Sequence, residues 1–217
     1  SRHTTSHVPF GLVLGPGGGK LKSRSGGAVK LLDLLNEAID RAAASVKDRN
    51  PDTTQEELRR LSRSIGIGAV KYSDLKSDRT KDYVFDWEKM LSFEGETGPY
   101  LQYAHARISS ILRNDKFQQS KSGLTSFSLA HESEMRLARE IMKYPESVDQ
   151  AAEDLAPHRI CKQLHRLSQA FAAFYENCPV LVEDGNTRNE RLALCRITGG
   201  ILNHGLNLLG IDAPDRM

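Results

Sequence analysis

The stretch Pro157-His158-Arg159-Ile160-Cys161-Lys162-Gln163-Leu164-His165-Arg166-Leu167-Ser168-Gln169-Ala170-Phe171-Ala172-Ala173-Phe174-Tyr175 decides the fold class. Ile160, Leu164, Leu167, Phe171 and Phe174 recur at helical spacing, so they form one apolar stripe on a helix that opens at Pro157. Such a stripe must be covered by other elements, and its neighbours in sequence are helical too. Glu132–Lys143 reads as a helix that stops before Pro145. Downstream, Thr187-Arg188-Asn189-Glu190 reads as a capping box, and Leu194, Ile197, Ile201 and Leu208 as the apolar stripe of a last helix. Upstream, Asp115–Ser126 is polar and reads as a loop. Before it, a helix is expected from near Thr97-Gly98-Pro99, carrying Tyr100, Tyr103, Ala104, Ile108, Ile111 and Leu112.

Further towards the N-terminus, Val29, Leu32, Leu35, Ile39 and Ala42 share a helical face that Asn50-Pro51-Asp52 ends. Thr54-Gln55-Glu56-Glu57 is a capping box opening the next helix, where Leu58, Leu61 and Ile65 are apolar before Gly66 and Gly68 loosen the pattern. Lys76–Phe93 reads as an irregular connection that packs through Tyr83, Phe85, Trp87 and Phe93. Val8-Pro9-Phe10-Gly11-Leu12-Val13-Leu14-Gly15 reads instead as a short apolar strand, followed by a Gly/Pro-rich loop that ends in Lys20-Leu21-Lys22-Ser23-Arg24-Ser25-Gly26-Gly27. A lone strand has no ladder partners, so this segment reads as the end of a larger sheet domain. The expected fold is mainly α: a helical bundle preceded by the last strand and loop of a sheet domain, divided at 1–27, 28–95 and 96–217.

Composition narrows the function classes. The chain has 217 residues, 39% of them hydrophobic and 27% charged, enough for a real core under a polar surface. No apolar run approaches the roughly 18 residues that span a bilayer, and no secretory apolar segment is present, so a membrane partner and export are not expected. Lys and Arg number 30 against 28 Asp and Glu, so any nucleic-acid surface must come from local segregation of charge. Cys161, Cys178 and Cys195 contain no Cys-x-x-Cys pair, which excludes a disulfide framework and suits a reducing compartment.

Four groups of residues carry candidate chemistry. The Lys20–Ser25 loop places cations and hydroxyls among glycines, a composition that suits a polyphosphate. His158, Cys161 and His165 fall on one helical face, but a buried Cys and a core His are the commoner reading, and no metal is expected. Arg159, Lys162 and Arg166, and one helix earlier Arg136, Arg139 and Lys143, repeat at i, i+3 and i+7. Each stripe suits an RNA backbone or an ordinary solvated face with ion pairs, since Glu132 and Glu140 flank Arg136. Tyr100, Tyr103, His105 and Arg107 form a denser group, and stacking on such side chains is how unpaired RNA bases are read.

Taken in order, several segments resemble the C-terminal part of the arginyl-tRNA synthetase family, class I aminoacyl-tRNA synthetases. They are His7-Val8-Pro9-Phe10-Gly11, Lys20-Leu21-Lys22-Ser23-Arg24-Ser25-Gly26, Gly68-Ala69-Val70-Lys71-Tyr72-Ser73-Asp74-Leu75 and Met90-Leu91-Ser92-Phe93-Glu94-Gly95. The series continues with Tyr100-Leu101-Gln102-Tyr103-Ala104-His105-Ala106-Arg107, Pro157-His158-Arg159-Ile160-Cys161, Phe174-Tyr175-Glu176-Asn177-Cys178-Pro179-Val180, Gly210-Ile211 and Arg216-Met217. The resemblance implies a Rossmann-like catalytic domain before residue 27, a connecting helical region, and a DALR-type anticodon-binding bundle. It implies ligation of arginine to tRNA-Arg through an arginyl-adenylate made from ATP, with Mg2+ accompanying the nucleotide. The KMSKS-like loop would then face ATP through Lys20, Lys22, Ser23 and Arg24, with Lys22 and Arg24 in the catalytic role. Tyr103, Arg107, Tyr175 and Met217 would contribute to the anticodon surface. The HIGH-type motif and arginine pocket are not in the sequence, so this segment is expected to be inactive alone. A cytoplasmic protein is expected, with an organelle interior as the alternative compartment; it is expected to be monomeric, with a synthetase assembly as a further partner. The alternatives are a stand-alone RNA-binding module and a docking bundle without ligase activity.

Overall fold

A computed structural model describes residues 5–15, 17–19, 30–113 and 127–217. In chain order its elements are β1 (Val13–Leu14), α1 (Leu31–Arg49), α2 (Gln55–Leu75), β2 (Tyr83–Val84), α3 (Trp87–Leu91), α4 (Gly98–Leu112), α5 (Glu132–Glu153), α6 (His158–Asn177) and α7 (Gly185–Leu208). The mainly α bundle that the periodicity predicts is the observed fold.

The main core lies among α4, α5, α6 and α7. Leu101, Ile108, Leu137, Leu164, Leu167, Leu192, Leu202 and Leu206 are all fully buried there. Each such side chain contributes roughly 1.5–3 kcal/mol by leaving water, which is why the α6 stripe dominates the fold. The approach of α7 to α6 depends on Gly205, where an added Cβ would lie 2.6 Å from the Leu164 Cδ2. A satellite core of Ala42, Val46, Leu61 and Ile65 sits between α1 and α2, with Phe93 and Met217 packed against it. The segment after α7 turns back over the bundle. Gln102 Nε2 donates to the Asp212 carbonyl at 2.8 Å, Arg113 Nη1 to the Asp215 carbonyl at 2.9 Å, and Lys71 Nζ to the Gly210 carbonyl.

Several local expectations are corrected. β1 has a ladder partner within the chain, because it pairs in parallel with β2, Val13 opposite Tyr83 and Leu14 opposite Val84. The connection Lys76–Phe93 is therefore partly regular, holding β2 and the short α3, whose N-cap Asp86 accepts from the Glu88 and Lys89 amides. Helix α2 runs straight through Gly66 and Gly68. Gly66 marks a contact: a Cβ there would lie 2.7 Å from the Ala38 carbonyl, so the missing side chain lets α1 approach.

Helix α5 does not stop at Pro145 but continues to Glu153. Pro145 faces solvent, whereas Tyr144 and Ala151 are buried on the other side of the same helix. Packing of that inner face offsets the backbone hydrogen bond the proline removes, a cost of about 3 kcal/mol. The cap of α7 is Asp184, which accepts from the Thr187 amide at 2.8 Å, so Thr187 lies inside the helix. Its buried line is Leu192, Leu194, Cys195, Thr198, Leu202 and Leu206, and Ile197 and Leu208 point outwards. In α1 the buried line is Ala38, Ala42 and Val46, and Leu32 is 68% exposed. The expected loop Asp115–Ser126 lies outside the described residues.

Candidate nucleic-acid interface

Helix α4 begins where Thr97 caps it, its hydroxyl accepting from the Tyr100 amide at 3.1 Å. From that start the helical repeat sends Leu101, Ala104 and Ile108 into the core and Tyr103 and Arg107 outwards. Tyr103 is 42% exposed and meets Phe93 edge to face, with ring centroids 6.5 Å apart. Arg49, from the last turn of α1, stands 4.1 Å over the Phe93 ring. On the other side the Arg107 guanidinium stands 4.1 Å over the ring of Tyr175, near the end of α6. A guanidinium thereby stands over an aromatic ring in two places.

These side chains border a cleft of about 680 Å3 between α1, α2, α4 and the C-terminal residues. Arg49, Arg107, Arg113 and Arg216 line it, against Glu57 and Asp215. Asp215 is engaged already, since its carboxylate accepts from the Ser109 hydroxyl at 2.9 Å. Met217 lines the cleft floor and packs on the satellite core. The cleft therefore joins aromatic planes, excess positive charge and an apolar floor, a combination suited to unpaired nucleotides.

Tyr103, Arg107 and Met217 thus share one cleft, and Tyr175 joins it through Arg107. Lys20, Lys22, Ser23 and Arg24 lie outside the described residues. The other members of the α4 group turn inwards: His105 is buried with Nδ1 3.1 Å from the Pro214 carbonyl, and Tyr100 packs beside His165 with ring centroids 5.8 Å apart. Phe93, Arg49, Arg113 and Arg216 are the cleft residues that local sequence reading does not reveal. The pairing of Arg49 with Phe93 is a contact between distant segments, and no local period signals it.

His158, Cys161 and His165 stay apart as ligands. Among the described residues no group of three or more His, Cys, Asp or Glu is placed to hold a metal ion. Burial pushes the Cys161 and Cys195 thiols up to about 12, and both side chains are sealed in the core. Burial likewise lowers the pKa of His165 and, together with the Lys162 charge, that of His158.

The fold is thus a helical bundle with an arginine- and aromatic-lined cleft, entered from a parallel strand pair. Residues 101–217 match the family described as DALR anticodon binding domain, and residues 2–87 match the tRNA synthetases class I (R), catalytic domain. The chain belongs to the arginyl-tRNA synthetase family. It is 47% identical over 213 residues to an arginine–tRNA ligase of Proteus mirabilis, and 48% identical over 213 residues to one of Frankia casuarinae. Those alignments cover 97% and 98% of this chain but only 37% and 36% of the relatives, so the chain spans about a third of their length. The solved arginyl-tRNA synthetase of Thermus thermophilus superposes with a TM-score of 0.84 at 36% identity, over 95% of this chain and 34% of that one. Among the described residues no helix is long and apolar enough to cross a membrane.

Proposed function

We propose that the chain serves an arginine–tRNA ligase, supplying the ATP-facing loop and the surface that holds the anticodon loop of tRNA-Arg. The observation that carries the second part is the cleft, where Tyr103 and the Arg107–Tyr175 pair offer faces to unstacked bases beside four lining arginines. Met217 gives the floor apolar contact with a base, and Arg49, Arg113 and Arg216 meet the phosphates on either side. In this reading the 1–27 segment carries the ATP-facing loop of the catalytic domain, 28–95 connects within the stretch whose match to that domain's family runs to residue 87, and 96–217 binds the anticodon.

In the reaction, an arginine carboxylate oxygen attacks the α-phosphorus of ATP and pyrophosphate leaves. Lys20, Lys22, Ser23 and Arg24 stabilise the charge that grows on the leaving phosphates, Lys22 and Arg24 most directly. Mg2+ accompanying the nucleotide would share that charge when bound. A terminal ribose hydroxyl of the tRNA then attacks the arginyl carbonyl carbon, the bond to the adenylate phosphate breaks, and AMP leaves. The chain described here works only with the rest of the catalytic domain, and we assign it to the cytoplasm as a monomeric enzyme's part.

The test is binding of the chain to tRNA-Arg and to a non-cognate tRNA across a salt series. A cognate preference that persists as salt rises supports the reading, because base contacts carry specificity while phosphate contacts fade. Equal and steeply salt-dependent binding would reduce the chain to a general RNA-binding module. No binding at all would favour a docking bundle.

A further inference from the structure

We propose that the outer faces of α5 and α6 together form a second RNA contact, a track for phosphodiester backbone separate from the cleft. The inference rests on the RNA partner of the preceding reading but uses none of the cleft residues.

Helix α5 packs along α6, and their exposed cations fall on adjoining faces. Arg136, Arg139 and Lys143 repeat at i, i+3 and i+7 on α5, and Lys162 and Arg166 at i and i+4 on α6, all exposed. The register between the helices is fixed: Gln163 Nε2 donates to the Glu140 carbonyl at 2.8 Å and to its carboxylate at 3.2 Å. That bond sets the Lys162–Arg166 turn beside the Arg139–Lys143 turn. From Arg136 to Lys143 the track rises about 10 Å, enough for more than one phosphate.

Five cations share this face with the flanking carboxylates of Glu132 and Glu140, in a chain whose formal net charge is only +2. Glu140 is the acid between the two rows, and Lys143 Nζ holds it at 2.7 Å. Burial would raise the Glu140 pKa, yet bonds from Lys143 and Gln163, with the Lys143 and Arg166 charges, hold it below its ordinary value. Arg136, Arg139, Lys162 and Arg166 form no ion pair among the described residues, and Glu132 leaves Arg136 unpaired although it stands one turn away. A solvated face of ordinary kind interleaves its charges and pairs them. This one keeps guanidinium donors open, and they suit phosphate oxygens bidentately.

The track also looks away from the cleft. Arg166 precedes Tyr175 by nine positions on α6, about two and a half turns, so the two side chains leave opposite sides of the helix. The track therefore meets backbone that lies outside the cleft.

The test compares the wild-type chain with Arg136→Gln/Arg139→Gln/Lys143→Gln and with the charge-keeping Arg136→Lys/Arg139→Lys, after circular dichroism shows unchanged helix. Binding to tRNA-Arg, to a non-cognate tRNA and to poly-glutamate is measured across a salt series. The triple variant should lose roughly tenfold or more in affinity for both tRNAs, and the slope of log K against log salt should flatten by about 0.7–0.9 per lost contact. The charge-keeping variant should keep the wild-type salt slope, since the charge count is unchanged, and lose less affinity than the triple variant. Wild-type affinity and slope in the triple variant, with Tyr103→Ala still weakening binding, would overturn the track and leave the cleft standing. A loss confined to tRNA-Arg would also overturn it, because backbone contacts carry no sequence information. Unchanged tRNA binding with lost poly-glutamate binding would mark the face as a site for acidic protein instead. Absence of tRNA binding in the wild type would remove both the track and the RNA reading of the cleft.

Discussion

The two ends of this molecule treat apolar side chains in opposite ways. In the α4–α7 bundle, Leu164, Leu167, Leu192, Leu202 and Leu206 are sealed from water. Around β1 and the start of α1, Phe10 is 84% exposed, Leu12 58%, and Leu31 and Leu32 68% each. The bundle closes its own core. The strand pair is two residues long on each side and leaves its apolar neighbours exposed. The difference teaches that one region closes a core while the other is a thinly paired edge.

The contrast is open to breakage by mutation, and the bundle should respond most. Leu164 is fully buried against Gly205 of α7, so Leu164→Ala should cost about 3–4 kcal/mol and lower the thermal midpoint sharply. A loss under about 1 kcal/mol would mean that α6 and α7 are loosely packed.

A second, smaller effect is set by one ion pair within the bundle. Glu134 accepts from the His131 amide at 2.9 Å and from Arg191 Nε at 2.7 Å, and both acidic and basic side chains are nearly enclosed. Burial works to raise the Glu134 pKa, but the His131 amide and Arg191 overcome it and hold the value below the usual carboxylate range. A depressed carboxyl pKa contributes stability that is full above the unfolded value, about 4, and is lost as pH falls through the folded one. Glu134→Gln should therefore cost about 3 kcal/mol near neutrality, and the gap from wild type should close in acid. Denaturant unfolding at several pH values measures this, and a gap independent of pH would contradict it.

The exposed edge should respond least. Phe10→Ser with Leu12→Thr should shift the stability of the chain by no more than about 0.5 kcal/mol, read as an unchanged thermal midpoint. A clear fall in the midpoint would show that these side chains are packed, and the contrast between the regions would fail.

Legibility in the sequence follows the same divide. The α6 stripe, the helix start marked by Pro99 and the Thr54 cap could be read because their signals are local, a period, a proline or a hydroxyl within one turn. The same local reasoning misjudged Pro145, since its cost is local but the gain from burying Tyr144 and Ala151 in the bundle core is not. Gly66 looked like a weak point in a helix because the Ala38 backbone that needs its small size comes from another helix. Half of the cleft was legible for this reason: Tyr103 and Arg107 lie one turn apart on α4, whereas Arg49 and Phe93 meet only in the folded chain. β2 was missed because two residues carry no period at all.

The central claim is that the α4 cleft reads nucleotides rather than merely stacking side chains on one another. Its most direct measurement is the ratio of affinities for tRNA-Arg and for the same tRNA with an altered anticodon loop, in the wild type and in Tyr103→Ala and Arg107→Ala. Tyr103 is exposed and Arg107 lies over Tyr175 at the surface, so neither change should unfold the bundle. The account predicts that each variant lowers the ratio by roughly five- to a hundredfold, the value of one stacking contact of about 1–3 kcal/mol. A ratio that stays at its wild-type value in both variants would contradict it.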